Sequence, residues 1–209
     1  MHKPRLFDFD GGITAVDTEY VRPGLDASHL VVHGGRAAFV DTGTSHSVPL
    51  LLAALEHKGL EPAQVDWVFV THVHLDHAGG AGALLAELPN ATAVLHPRGA
   101  RHMVDPTRLI EGSKAVYGDA AFNKLYGEIR PIPAARVRTV EDGERLQLAG
   151  RDAEARRDAR VELEHGKNWF TRRDGPLRQG LGVAGDARDD AVGAGEGHIE
   201  RDVGVAHPH

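Results

Sequence analysis

Six consecutive positions hold most of this chain's capacity for chemistry. His72-Val-His74-Leu-Asp76-His77 places three imidazoles and a carboxylate directly behind an apolar run, Val65–Val70. Two histidines one residue apart, at the end of a strand, converge on one cation if the backbone stays extended. Asp76 and His77 are neighbours whose side chains diverge, so the spacing has them face a second cation nearby. Neutral imidazole and carboxylate suit Zn2+, with Mn or Fe as other occupants. Hydrolysis at such a centre needs open coordination. A bridging water then loses a proton near neutral pH while the ions polarise the substrate oxygen. A His-x-His pair alone is common by chance, but four ligand-type side chains in six positions at a strand end are not. The chain has 14 histidines and no cysteine, so disulfides and thiolate ligands are excluded.

The elements that must hold these side chains follow from periodicity. Leu6–Phe9 and Ile13–Val16 read as short strands broken by Gly11-Gly12. Ser28–His33 and Arg36–Val40 are β-rich runs joined by Gly34-Gly35, the pattern of a hairpin. Val48–His57 has helical spacing and stops near Gly59. Val65–Val70 is a buried strand, Gly79–Leu88 is helical, and Thr92–Leu95 is a strand again. Ala78-Gly79-Gly80 lets the histidine loop turn into its helix without crowding the ions. The order β-β-α-β-α-β implies an α/β layered domain. Ala100–Tyr126 is expected to be helical in pieces, interrupted at Pro106 and Gly112. Val137–Val140 and Arg145–Leu148 read as strands across a turn at Gly143.

After Gly150 the composition changes. Large apolar residues are 11 of residues 151–209 against 47 of the first 150, and Ala, Arg, Gly and Asp make up 33 of the last 59. The expectation is a domain over residues 1–150 followed by a divergent segment, 151–209, with little regular structure. Net charge is −6 and the pI near 6.1. Neither points to a nucleic-acid or anionic-membrane surface. The chain shows no leader pattern and no apolar run of about 18 residues. The expectation is a soluble cytoplasmic protein acting on a small molecule.

Asp41-Thr42-Gly43 after a strand, then Thr71-His72-Val73-His74-Leu75-Asp76-His77-Ala78-Gly79-Gly80, resembles the metallo-β-lactamase superfamily, which includes glyoxalase II-like thioesterases, lactonases, β-lactamases and RNase Z. The resemblance covers residues 1–150. It implies an αββα sandwich with a two-metal site at one edge, expected to be incomplete or poorly ordered in its C-terminal part. Carried over by motif, His72 and His74 bind the first ion, and Asp76 and His77 the second. Asp41 orients a ligand from behind. The family completes its site with a His in a Pro-Gly-His turn, a bridging Asp in a Thr-Gly-Asp turn and a last His. No Pro-Gly-His is present. The nearest substitutes are His165 in Glu164-His165-Gly166 and Asp186 in Ala184-Gly185-Asp186, 21 residues apart. His198, His207 and His209 are candidates for the last. A frameshift in GC-rich coding DNA would account for the abrupt change of composition where the second half should start.

The implied function is metal-dependent hydrolysis. A metal-bound hydroxide attacks an ester, thioester, lactone or amide carbonyl, with Asp76 steering it and accepting its proton. One alternative is a catalytically impaired family member that binds metal weakly. Another is a dimeric aspartic protease built on Asp41-Thr42-Gly43, which resembles the element whose paired carboxylates share a proton. Gly79–Gly82 lacks the Lys-Ser/Thr of a phosphate loop. His96-Pro97-Arg98 reads as a strand exit. Lys114, Tyr117, Lys124 and Tyr126 fall in a helical region that covers the pocket in the superfamily.

Overall fold

The computed structural model describes residues 3–156 and 160–163. The expected ligands His165 and Asp186, and the candidates His198, His207 and His209, lie outside the described residues.

The apolar alternation of the N-terminal half builds a seven-stranded sheet. Its strands run in chain order: β1 (Leu6–Phe9), β2 (Ile13–Asp17), β3 (Ala27–His33), β4 (Arg36–Val40), β5 (Val65–Phe69), β6 (Thr92–Leu95) and β7 (Val137–Thr139). The first four pair antiparallel, and β4 to β7 run parallel. The change of sense follows from the connections. Two tight turns and a longer loop join β1 to β4, whereas parallel neighbours need a crossover, here a helix-bearing one each time. The β3–β4 hairpin turns at Gly34 and Gly35, both at positive φ (54° and 75°). That is the two-residue turn the sequence predicts, and glycine meets its backbone requirement without strain.

Both faces of this sheet are buried, and the period-2 pattern sorts residues between them. On one face Leu30, Phe39, Val68, Ala93 and Leu95 pack against helix α1 (Val48–His57) and helix α3 (Ala81–Glu87) through Leu51, Leu55, Leu84 and Leu85. On the other face Val31, Ala38, Val40, Phe69 and Val94 meet Leu146, Leu148 and Ala153 of a second sheet. Each fully buried Leu or Phe contributes on the order of 1.5–3 kcal/mol. The second sheet is antiparallel, in the order β10 (Arg160–Leu163), β9 (Arg151–Arg156), β8 (Arg145–Leu148). The described residues are therefore a helix layer on a mixed sheet backed by another sheet.

The structure refines three points of the sequence reading. Gly112 does not interrupt the helical region. It lies inside α5 (Thr107–Tyr117), and the break before α6 (Asp119–Tyr126) falls at Gly118. Pro106 does separate α4 (Pro97–Val104) from α5. β7 and β8 do not pair across Gly143. Instead that turn carries the chain from the first sheet to the second. Regular structure also crosses the composition change at residue 150, because β8 and β9 form a hairpin with Leu148 opposite Arg151. Alternating sign in Arg-Asp-Ala-Glu-Ala-Arg hides the strand from a hydrophobic count.

Candidate metal centre

The histidine motif leaves the parallel edge of the first sheet just past β5. Thr71 to His74 run on from the strand end, and one helical turn, α2 (Leu75–Ala78), follows. His74 is extended (φ −63°, ψ 140°) and forms the helix N-terminus. A four-residue helix is too short to show a period, so the sequence reads it as loop. The turn has a consequence for the motif. Asp76 and His77 do not diverge; His77 Nε2 lies 3.8 Å from Asp76 Oδ2. The ring of His77 is 4.3 Å from that of His72, and His74 is 4.6 Å from His72, edge-on. His72 is thus the middle member of a three-imidazole cluster. Among the described residues, the group whose ligand atoms all lie within 4.8 Å of one another is Asp41, His72 and His77. His74 is exposed at the rim.

Asp-Thr-Gly beneath the cluster is a cradle for it. Asp41 takes a left-handed conformation (φ 57°), which a short polar side chain tolerates better than most, and its amide donates to the Phe69 carbonyl at 2.8 Å. Its carboxylate accepts from the Thr71 amide at 2.9 Å, from the Thr71 hydroxyl at 2.8 and 2.9 Å, and from His77 Nδ1 at 3.1 Å. Thr42 donates its amide (2.7 Å) and its hydroxyl (3.0 Å) to the His77 carbonyl. The Gly43 carbonyl accepts from the Gly80 amide at 2.9 Å. A Cβ on Gly80 would sit 2.6 Å from the Thr44 carbonyl oxygen. The glycine is therefore required by this close approach of two backbones, not by room for an ion.

Proton counting fixes the ring tautomers. A carboxylate accepts only, so the proton between His77 Nδ1 and Asp41 belongs to His77. The single Thr71 hydroxyl proton goes to Asp41, so Thr71 Oγ1, 2.9 Å from His72 Nδ1, must accept from that nitrogen. One carboxylate, directly and through Thr71, thus ties up Nδ1 of both rings and leaves both Nε2 atoms for a ligand. This is the outer-shell arrangement that metal-binding imidazoles use.

The electrostatics agree. Burial opposes charge on His77, but its hydrogen bond to Asp41 and the carboxylates of Asp41, Asp26 and Asp76 outweigh it and hold the ring at about 9. Burial, with His77 beside it, pushes His72 down to about 4. Burial raises Asp26 to about 6, against the pull of His77 and the hydrogen bond from Thr18. Without a metal ion, the surrounding carboxylates retain one positive charge as a proton on His77. A divalent cation satisfies the same field, so the donor set fits such an ion.

Sequence reasoning missed Asp26, whose Oδ1 lies 3.8 Å from His77 Nδ1. It reaches the site from the loop between β2 and β3, and a lone Asp in a turn-rich segment gives no signal. Thr71 was visible only as the first letter of the motif. His96 caps α4, its Nδ1 accepting from the Arg98 amide at 3.2 Å, which suits the reading as a strand exit. Lys114 pairs with Asp119 at 2.8 Å and lies over the Phe122 ring.

The family model of the metallo-beta-lactamase superfamily matches residues 21–198. The chain belongs to this superfamily. A hydroxyacylglutathione hydrolase of Salmonella paratyphi A is 40% identical over 75 residues, 34% of this chain and 28% of that enzyme. The subclass B3 metallo-beta-lactamase MEM-A1 from a soil metagenome library superposes with a TM-score of 0.54 at 25% identity, covering 74% of this chain and 52% of that one. Native FEZ-1 metallo-beta-lactamase from Legionella gormanii gives a TM-score of 0.57 at 20% identity, covering 80% and 62%. The chain therefore spans about a quarter to three-fifths of the length of these relatives. The Asp41-Thr42-Gly43 element of this superfamily member is occupied by the histidine cluster, and no feature of the described residues supports the protease alternative. No helix among the described residues is long and apolar enough to cross a membrane.

Proposed function

We propose that this chain is a metal-dependent hydrolase of a small-molecule ester, thioester, lactone or amide. His72, His74, Asp76 and His77 hold two divalent ions, zinc by the character of the donors, with Mn or Fe as substitutes. His165 and Asp186 are the completing ligands in this reading. When bound, the ions supply Lewis acidity at the scissile carbonyl and acidify water. The chain's own residues do the rest. Asp41 and Thr71 hold the His72 and His77 rings by Nδ1 and leave Nε2 for a ligand. Asp76, 3.8 Å from His77 Nε2, steers the nucleophile and takes its proton. The observation that carries the reading is the gathering of His72 and His77 at the Asp41 carboxylate, with His74 beside His72. The partial likeness to hydroxyacylglutathione hydrolase favours thioesters within this class.

The test is metal analysis of the purified chain followed by thioester and ester hydrolysis before and after chelation. Two equivalents of zinc and chelator-sensitive, zinc-restorable turnover are expected. A chain that retains no metal overturns the reading. The change of composition after residue 150 favours a second reading, a family member with impaired catalysis. Substoichiometric metal without turnover distinguishes it.

A further inference from the structure

The loop from β2 to β3 is folded against its own backbone preferences. Glu19 and Val21 sit at φ 54° and 60°, left-handed values that are a genuine outlier for a β-branched residue. The Arg22 amide donates to the Tyr20 carbonyl at 2.6 Å across Val21, a tight three-residue turn of the rare, strained hand. Asp17, almost wholly buried, fastens the loop by accepting from the Glu19 amide at 2.9 Å and the Gly24 amide at 2.8 Å. Val21 itself is 67% exposed, so its own packing does not offset the strain.

What the turn delivers is Tyr20. Its ring stacks on Tyr126 at 5.9 Å, with the two hydroxyls 3.3 Å apart. Tyr126 belongs to the apolar cluster of Leu75, Phe122 and Ile129, and Tyr20 packs against that cluster; Leu75 stands between His74 and Asp76, so the cluster borders the candidate metal centre. Tyr117 meets Tyr126 at 6.0 Å and is partly exposed. The Tyr20 hydroxyl donates a hydrogen bond to that of Tyr126. Burial, and more weakly the Asp76 and Asp26 carboxylates, raise the Tyr20 pKa, so its phenol stays protonated and keeps its hydrogen bond to Tyr126. Strained backbone of this kind concentrates where a side chain must be held for function.

We propose that Tyr20 is a specificity-determining residue: its half-buried ring, backed by the buried Tyr126, forms an aromatic wall beside the metal centre that receives the apolar or aromatic acyl part of the substrate. The proposal rests on the hydrolase reading and names its substrate class. The experiment compares the S-phenylacetyl and S-acetyl thioesters of N-acetylcysteamine with the zinc-loaded full chain. Tyr20→Ala lowers kcat/KM for the phenylacetyl thioester by about tenfold or more and for the acetyl thioester by under about twofold, with zinc content unchanged. Val21→Gly relieves the strained turn and frees Tyr20: the Tm holds or rises while KM for the phenylacetyl thioester increases. Equal losses on both thioesters, or a Val21→Gly variant with lowered Tm and unchanged KM, overturn it. Phenylacetate binding, followed by changes in chemical shift, separates the two readings. If the wild-type chain turns over neither thioester yet binds phenylacetate and Tyr20→Ala does not, the wall stands and the hydrolase reading falls. If the wild-type chain also fails to bind phenylacetate, the wall falls.

Discussion

The two sheets of this molecule are built on different terms. The seven-stranded sheet is buried on both faces, and every residue of the histidine cluster and its cradle comes from its strands or from the loops at their ends. The three-stranded sheet presents few apolar side chains to the first, chiefly Leu146, Leu148 and Ala153, and its other strand positions are largely Arg, Asp and Glu. The first sheet carries enough buried surface to hold strained backbone at Asp41, Glu19 and Val21. The second acts as a cover. A site of charged ligands is thus positioned from one side, by the part of the fold with the most packing to spare.

The largest expected effect tests that contrast directly. Phe39→Ala, in the helix-side core, costs about 3–5 kcal/mol in urea unfolding, whereas Leu146→Ala, between the sheets, costs about 2 kcal/mol, the low end for a Leu. Equal losses break the comparison. Next, Asp41→Asn keeps the shape but not the charge that holds the Nδ1 proton on His77. Zinc affinity falls about 10–100-fold, measured by competition with a chelator. Thr71→Val removes the hydroxyl that joins Asp41 to His72 but leaves the Thr71 amide bond to Asp41; it costs about tenfold, the low end of that range, while Thr71→Ser restores it. A Val variant that binds zinc normally ends the proton-counting argument. The pH dependence is smaller per step. His77 is raised to about 9, so its proton must leave before Nε2 of the neutral ring binds. Apparent zinc affinity then drops about tenfold for each unit the pH falls below that value, down to the ordinary histidine range, and Asp41→Asn flattens the slope. In the metal-free chain, the sign for stability is opposite. His77 has a folded pKa above its unfolded one, so its contribution is complete below about pH 6.5 and lost as pH rises through about 9. The smallest effect is a control away from both sheets. Gly112 sits inside α5 with open space where a Cβ would go, so Gly112→Ala adds about 0.5–1 kcal/mol without moving zinc affinity.

Much of this was legible beforehand. The β3–β4 hairpin, helix α1, the strand before the motif and strand β6 all follow from apolar spacing and glycine turns, because each is a local pattern long enough to repeat. Helix α2 was not, since one turn has no period. The strands β9 and β10 were not either, since alternating charge carries no apolar signature. That β7 and β8 join different sheets is not in the sequence for another reason: a turn signal marks a reversal of the chain and says nothing about which sheet the next strand joins.

The sequence alone determined which atoms could bind a cation, by setting three imidazoles and a carboxylate within six positions, and it determined the strand that delivers them. Tertiary structure alone decided how those atoms are held. Asp41 lies thirty positions from Thr71 and its carboxylate accepts from it, Asp26 approaches His77 from another loop, and Tyr20 reaches Tyr126 across 106 positions. Ligand chemistry belongs to a residue type and can be read one letter at a time. Tautomer, charge and reach depend on distances across the fold, which exist only after the sheets have packed.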